Sequence, residues 1–580
     1  MFSLFSQFSV RHTSHKILVL LVLSLLGFFL FVAMRESTLW AAASTAFVSV
    51  AAATGHDYGF GTDSAVSVAT TTNGSQNGAS FYSGSLRPQI HYSPPVSFMN
   101  DPNGAFVDAN GTWHLYYQYN PTEIVAGNQH WGHATSPDLY HWTNHDIAIS
   151  PDNEYEGIYS GSAVVDVNNT SGFFPNQTDG VVAIYTLNTN VSETQQLAYS
   201  YDGGYTFTKY SGNPVIDIGS TQFRDPKVIW YEDHWVMSIA YSHDFVIGIY
   251  TSPDLKSWTH ASNISHVGFL GQQYECPNLV KIPMDGETED TYLLIISINP
   301  GAPQGGSFTQ YFPGTFNGTH FTAFDGAARI LDFGKDNYAG QFFYDSDAHT
   351  PGGEPVFVGW ASNWQYTQQV PTGPLEGWRS AMTLPRTARL INNASRIGYD
   401  LITRPYAELA PVKGAQLAQC DTVSNSSLQV NYANLTSGAV YFQVTVTNVP
   451  NNTLAMGTLN FTFTASGSGE TLSGGYFFGG DTPFWVNRGK VLGLDNPFFT
   501  DKFSTVYLLP DASNTFVLEG VLDRSILELE LGGAGARGSE LGTLLAYPEA
   551  RFDALEIASA GVNDGVSVVA EVWALNSVWS

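Results

Sequence analysis

Ser136-Pro-Asp-Leu-Tyr-His-Trp-Thr143 returns as Ser252-Pro-Asp-Leu-Lys-Ser-Trp-Thr259, and between them stands a looser copy, Ser200-Tyr-Asp-Gly-Gly-Tyr-Thr-Phe-Thr208. The three copies start 64 and 52 residues apart. Each follows an apolar run and supplies turn residues, then an aromatic that can pack on the sheet just left. A four-stranded unit recurring at this spacing is the sequence signature of a β-propeller. The roughly 300 residues after His91 hold about five such units, so a five-bladed β-propeller is expected.

The surrounding runs agree. TWHLYYQYN, GVVAIYTLN, DFVIGIYTS, TYLLIISIN and EPVFVGWAS are short and apolar or alternating, with turn residues between them, and read as strands. No amphipathic helix of three turns is visible among them. After about Gln416 the runs alternate more strictly, as in AVYFQVTVTNV and LNFTFTAS, and carry no acidic constellation. Period-2 strands with Gly and Asn turns predict a β-sandwich. The fold class is therefore all-β: a propeller over 87–405, a linker over 406–415 and a sandwich over 416–580.

At the other end, Ile17 to Met34 is an unbroken run of 18 apolar or small residues behind Arg11 and Lys16. That length spans a bilayer, and the basic flank keeps residues 1–16 cytoplasmic. The run reads as a transmembrane signal-anchor. A cleaved signal peptide is the alternative, since Ala41 to Ala43 and Ala51 to Ala53 offer small-residue cleavage sites. Residues 35–86 are rich in Ala, Ser, Thr and Gly and predict a flexible stalk. Either fate sends the chain into the secretory route, to the cell surface, the exterior or the vacuole. Thirteen N-x-S/T sequons, from Asn73 to Asn460, agree with that route. Net charge is −28, which argues against a nucleic-acid partner. Only Cys276 and Cys420 are present, so the chain is no disulfide scaffold, and Cys276 is expected as a buried free thiol.

Three acidic residues stand in polar turns flanked by strand-like sequence: Asp101 in Asn-Asp-Pro-Asn-Gly, Asp225 in Phe-Arg-Asp-Pro-Lys-Val and Glu275 in Tyr-Glu-Cys-Pro-Asn. Alone, Asp101 reads best as a turn-capping residue. A propeller, however, gathers loops of successive blades around one axial funnel and can bring all three together. Paired carboxylates are what glycoside hydrolysis requires, one as nucleophile and one as acid/base, about 5–5.5 Å apart in a retaining enzyme.

In order along the chain come NDPNG, YQYNP (Tyr117 to Pro121), HWGHA (His130 to Ala134), YSGSAV (Tyr159 to Val164), FRDPKV and YECPN. Together they resemble glycoside hydrolase family 32, the invertases, inulinases, levanases and fructosyltransferases, in its fungal or yeast-like branch. The resemblance runs from about Gln89 to Arg386. It implies a five-bladed propeller with a packed C-terminal sandwich, and a retaining β-fructofuranosidase that splits sucrose. Transfer of fructose to a sugar, or exo-inulinase or levanase action, are the alternatives. It further implies Asp101 as nucleophile, Glu275 as acid/base and Asp225 as transition-state stabiliser, with Arg224 donating to a sugar hydroxyl and keeping Asp225 ionised. Asn100, Gln118, Trp131 and Ser160 align with sugar-binding residues, and Tyr311, Asp336 and Trp364 are further pocket candidates. Arg379 reads as an ion-pair or funnel residue. Many relatives have Trp where this chain has Phe98, so the leaving-group or acceptor side of the pocket is expected to differ.

The chemistry needs no cofactor, and no metal site is expected: histidines 91, 114, 130, 133, 141 and 145 lack ligand spacing and read as strand or turn residues. The expected partners are sucrose and fructooligosaccharides, with a membrane contact through the N-terminal segment only. Relatives often dimerise through the sandwich, which leaves a homodimer open. A noncatalytic fructan-binding propeller is disfavoured by the intact acids, and an arabinoside-acting propeller by the NDPNG and ECPN wording.

Overall fold

The computed structural model describes residues 79–287, 290–392, 398–450, 454–479, 483–506, 514–532 and 539–579. The proposed anchor at 17–34, nearly all of the stalk and sequons Asn73, Asn393 and Asn451 lie outside them. No helix among the described residues is long and apolar enough to cross a membrane. Their longest α-helix is Thr372–Glu376.

From Ser97 to Pro405 the strands form five sheets arranged as propeller blades, antiparallel except where Trp378–Arg379 joins the first in parallel. The inner strands are Ser97–Val107, Gly157–Val165, Phe223–Tyr231, Tyr274–Ile282 and Tyr338–Phe342. Each lies against the next, and the fifth lies against the first, so the ring closes. The SPDL repeats occupy one structural position, the turn from third to fourth strand in blades one, two and three. In blade one this turn joins His130–Ser136 to Thr143–Ile149. There Asp138 Oδ1 accepts from Tyr140 N and His141 N at 3.0 and 2.8 Å; Asp254 repeats the pattern with Lys256 N and Ser257 N at 2.9 and 2.7 Å. Leu139 and Leu255 take the same left-handed backbone, at φ 68° and 62°. The local sequence dictates the turn because an Asx side chain satisfies the backbone donors that the ladder leaves.

A second five-fold regularity positions the chemistry. Each inner strand starts with four residues in equivalent places: Asn100-Asp-Pro-Asn103, Tyr159-Ser-Gly-Ser162, Arg224-Asp-Pro-Lys227, Glu275-Cys-Pro-Asn278 and Tyr338-Ala-Gly-Gln341. In every blade the ladder slips there, so two residues face one on the neighbouring strand. These are β-bulges, which re-aim side chains. Proline or glycine stands third each time; Pro226 and Pro277 fall within the bulge, where a proline costs no ladder bond. Asp225, Cys276 and Ala339 adopt φ of 66°, 48° and 52°, a strained region for residues with a Cβ.

Beyond the propeller, strands from Lys413 to Leu575 form two six-stranded sheets. Strands such as Ala439–Thr447 and Thr458–Ala465 alternate buried and half-buried positions. Phe442, Phe461, Phe463, Leu518, Leu555 and Ile557 meet between the sheets as the sandwich core.

A buried ionic cluster ties sandwich to propeller. Asp523 accepts from the backbone N–H groups of Gln89, Ile90 and His91 and from His91 Nδ1, the last at 2.8 Å. The other face of His91 lies 3.3 Å from Glu528, which also pairs with Arg386 at 2.7 Å. His91 is thus an ionic partner rather than a plain strand or turn residue. Burial alone would lower its pKa, but hydrogen bonds to Asp523 and Glu528 raise it from 6.5 to about 9. Burial opposes the charge on Glu528, yet Arg386 and His91 outweigh it and bring that pKa to about 2. The cationic His91 therefore contributes stability that is complete below pH 6.5 and is lost as pH rises through about 9. The Glu528 contribution is complete above pH 4.5 and is lost as pH falls toward about 2. We expect His91→Gln to lose about 3 kcal/mol, because it removes the cation lying between two buried carboxylates, and to abolish the decline in melting temperature between pH 6.5 and 9. Thermal melts across pH check both.

Candidate active site

The first two residues of each bulge motif converge at the head of the funnel. On strand Ser97–Val107, Asp101 is 9% exposed and held from both sides: Asn100 Nδ2 donates to Oδ1 at 3.0 Å and Ser160 Oγ donates to Oδ2 at 2.9 Å. On strand Phe223–Tyr231, the carboxylate of Asp225 accepts the backbone N–H of Cys276 at 2.9 Å. The Cys276 thiol bridges the two acids, with Sγ 3.6 Å from Asp101 Oδ2 and from Asp225 Oδ2. Burial, reinforced by both carboxylates, pushes that thiol well above its ordinary value, so it stays a neutral donor. Cys276 and Cys420 are both free thiols.

Glu275, one residue before Cys276, is gripped by two donors. Arg224 reaches Oε1 from Nε at 3.2 Å and from Nη2 at 2.9 Å, and the Tyr338 hydroxyl makes a short hydrogen bond to Oε2. Arg224 is also held by Glu193 at 3.2 Å, Gln222 at 3.1 Å and Gln273 at 3.0 Å. Burial works against this guanidinium, but Glu275, Asp225 and Glu193 more than offset that and keep it cationic.

Burial raises the Asp101 carboxyl from 3.8 to about 6, with Glu275 adding repulsion while Asn100 and Ser160 pull back. Burial likewise raises Asp225 to about 7; Arg224 opposes this, and Glu275 and Asp101 add to it. The two acids cannot both ionise easily beside Glu275, so protons are held within the cluster. Such a site has what a glycosidase needs: a carboxylate to attack, an acid to protonate the leaving oxygen, and fixed donors that keep the resulting charges in place.

Each residue singled out from the sequence has a definite location. Asp101, Asp225, Glu275, Asn100, Ser160 and Arg224 come together, and the Arg224 hydrogen bonds go to Glu275, Glu193, Gln222 and Gln273 while its charge favours ionised Asp225. Trp364 is half-buried and lies against Phe98 and Trp360, with centroids 6.2 and 4.8 Å away. Phe98 is 0% exposed, so it shapes the pocket only through the rings packed on it. Trp131, also 0% exposed, lies between Tyr116 and Tyr185 and spends its N–H on the Tyr159 carbonyl at 3.0 Å. It has no face free for a furanose. Gln118 sits behind the nucleophile: with the Asn103 amide turned so that its oxygen accepts, Gln118 N and Nε2 both donate to it at 2.9 Å.

Two further candidates are not in the funnel. Asp336 is fully buried against the sandwich, where it accepts from Arg488 at 3.1 Å, Leu545 N at 2.9 Å and the Tyr366 hydroxyl. Tyr311 accepts from Leu401 N at 3.2 Å and lines a separate cleft of about 320 Å³ between blade four and the sandwich. Arg379 donates to the carbonyls of Ile124 and Val370, at 2.6 and 3.2 Å.

Tyr338 and Glu193 escaped sequence reasoning. Tyr338 could have been found by aligning YAGQ with NDPN, YSGS, RDPK and ECPN, since it fills the place Glu275 fills one blade earlier. Burial raises its hydroxyl well above 10, so it remains a donor. We expect Tyr338→Phe to lower kcat about ten-fold with little change in KM or melting temperature, because only the orientation of the Glu275 carboxyl is released. Initial rates and a melting curve measure this.

Comparisons with known proteins converge on one family. The model of the glycosyl hydrolases family 32 N-terminal domain matches residues 91–405. Over 479 residues the chain is 42% identical to Invertase 1 of Saccharomyces cerevisiae, covering 76% of this chain and 86% of that protein. Over 463 residues it is 42% identical to the extracellular exo-inulinase of Meyerozyma guilliermondii, covering 77% and 88%. The structure is similar to that of the Schwanniomyces occidentalis fructofuranosidase complexed with fructose. The TM-score is 0.77 and the identity 36%, over 86% of this chain and 99% of that one.

Proposed function

The chain belongs to glycosyl hydrolase family 32, and from that premise we propose that it is a retaining β-fructofuranosidase that removes the terminal fructosyl group of sucrose. The observation that carries this reading is the meeting of Asp101, Asp225 and Glu275 from three inner strands, with Cys276 touching two of them and Arg224 holding the third.

On this reading, Asp101 attacks the anomeric carbon of the fructosyl unit. Asn100 and Ser160 fix the direction of attack by holding one oxygen each. Glu275 gives its proton to the glycosidic oxygen as that bond breaks. The anion left on Glu275 is received by the Arg224 guanidinium and the Tyr338 hydroxyl, donors already in place, so little reorganisation is required. Asp225 accepts from fructosyl hydroxyls, an interaction that strengthens as positive charge develops on the ring. In the second half Glu275 takes a proton from water, which displaces Asp101 with net retention.

A second reading is favoured by one observation. Trp364 is half-buried and backed by the fully buried rings of Phe98 and Trp360 next to Cys276 and Tyr338, so it is the one ring of the three with a face on which a sugar can seat as acceptor. Fructosyl transfer and exo-action on fructans would use the same acids, and the similarity to an exo-inulinase supports the latter. A time course of the full-length protein with concentrated sucrose decides. Equal release of glucose and fructose means water is the acceptor. Glucose in excess means fructose is passed to a sugar. Release of neither, with inulin and levan also untouched, would remove the proposal.

We also place the protein in the secretory pathway, anchored by residues 17–34 or freed from them. Sequon residues Asn110, Asn168, Asn176, Asn190, Asn263, Asn317, Asn425 and Asn434 are exposed, which supports glycosylation, and one similar protein is named as extracellular.

A further inference from the structure

Gln129 lies in the loop that enters strand His130–Ser136, and no role in the reaction has so far fallen to it. Two of its atoms reach the two supports of Asp101. Its Nε2 donates to Asn100 Oδ1 at 3.1 Å, and Asn100 in turn donates to Asp101 Oδ1 at 3.0 Å. Its backbone carbonyl accepts from Ile158 N at 2.9 Å. Ile158 is the last ladder-paired residue before the bulge that carries Ser160, and Ser160 Oγ donates to Asp101 Oδ2 at 2.9 Å. The remaining atom, Gln129 Oε1, is buried and has no hydrogen-bond partner among the described residues. An unpaired buried amide oxygen is costly, and a leucine of similar bulk would avoid that cost. What glutamine adds over leucine at this position is the donor to Asn100.

We propose that Gln129 is a positioning residue for Asp101, clasping from one loop both groups that hydrogen-bond the carboxylate. The proposal rests on the reading of Asp101 as nucleophile. An asparagine amide can turn either its nitrogen or its oxygen toward a neighbour. With the Gln129 donor on Oδ1, Asn100 presents its N–H₂ to Asp101; without it, the carboxamide is free to rotate. The side-chain amide therefore sets the polarity of the Asn100 contact, while the backbone carbonyl sets the depth of the Ser160 strand.

The test uses the full chain in four forms: Gln129→Leu, Gln129→Glu, Asn100→Ala and the double variant Gln129→Leu/Asn100→Ala. Gln129→Leu keeps the bulk and the backbone carbonyl. We expect kcat on sucrose to fall about ten-fold with KM within about two-fold. Because a lost hydrogen bond to an anion favours its protonated form, the acid limb of kcat/KM should move up by about half a pH unit. Gln129→Glu, of the same size, pulls the Asn100 N–H₂ toward itself and should move the limb further in the same direction. It carries the test if thermal melts show Gln129→Leu unfolded. The double variant should be no slower than Asn100→Ala alone, since Gln129 acts through Asn100. A merely structural glutamine would leave the acid limb in place and make the two losses multiply, and either result overturns the proposal. Asp101→Asn assayed alongside separates the two levels. An active Asp101→Asn removes the nucleophile reading and this proposal together. An inactive one beside unaffected Gln129 variants removes the proposal alone.

Discussion

Asp101→Asn should lower kcat on sucrose on the order of 10⁴-fold or more while raising thermal stability at neutral pH. The first effect follows from removing the nucleophile: an amide in the same place cannot form the fructosyl-enzyme bond, and a covalent route offers no substitute for the attacking group. The second follows from burial. The Asp101 carboxyl titrates near 6 in the folded protein against 3.8 for a free one, so keeping it ionised costs stability at every pH above about 6. Asparagine fills the same space without that charge and keeps one oxygen for Asn100 or Ser160. Sucrose turnover and a melting curve at pH 7 measure both, and a fall in activity accompanied by a fall in melting temperature would not fit. In the unaltered protein the same shift places the acid limb of kcat/KM above the usual carboxylate range. Truncation to Asp101→Gly opens room for azide. Azide would then attack from the vacated face and give a fructosyl azide of inverted configuration.

Glu275→Gln should be nearly as damaging on sucrose, by about 10³-fold, but its damage depends on the leaving group. Glucose leaves as an alkoxide unless it is protonated, so loss of the acid is felt in full. A fructoside with an acidic phenol as leaving group departs without help, and we expect its first step to proceed at close to the normal rate. The fructosyl-enzyme then waits for water with no base to activate it, so a burst equal to the enzyme concentration should precede a slow steady state. Arg224 reinforces the contrast. With a neutral amide at position 275 the guanidinium keeps Glu193 as its carboxylate partner, which holds the arginine in place and the fold intact. A stopped-flow trace with the activated fructoside reads the burst, and equal losses on both substrates would reassign the acid.

The architecture was legible because its signals are local. The SPDL turns recur since an Asx side chain closes the same turn wherever a third strand hands over to a fourth. The acids could be named because Asp-Pro and Cys-Pro mark places where the inner strand leaves its ladder. Side-chain partnership was less legible, because it depends on the distance between blades. Arg224 precedes Asp225 in sequence, yet the bulge that opens at Asp225 separates the two side chains, and the guanidinium reaches across to Glu275 and Glu193. Asp336 stands only two residues before Tyr338, but the strand begins at Tyr338, and the aspartate turns away to Arg488 in the sandwich. A partner some 150 residues further along left no trace near it. Trp131 and Phe98 show the other limit: an aromatic at a strand start reads the same whether it lines a pocket or supports the wall behind one. Tyr338 went unnoticed because Tyr-Ala-Gly contains no acid, base or amide to attract notice. Its meaning appears only in register with the other four blades.

That register has a consequence for how such a molecule can change. The first two positions of the five motifs are ten sites around one axis, and seven of them (Asn100, Asp101, Tyr159, Ser160, Asp225, Cys276 and Ala339) lie in the bulges, out of the antiparallel pairing. Exchanging a side chain at one of these seven therefore need not disturb the ladders that close the ring. Acid, amide, hydroxyl, thiol and guanidinium already occupy equivalent seats in this one chain, so the scaffold tolerates each of them there. The seats are interchangeable parts of a fixed machine: innovation in the reaction is separated from risk to the fold, and new specificities lie one or two substitutions apart.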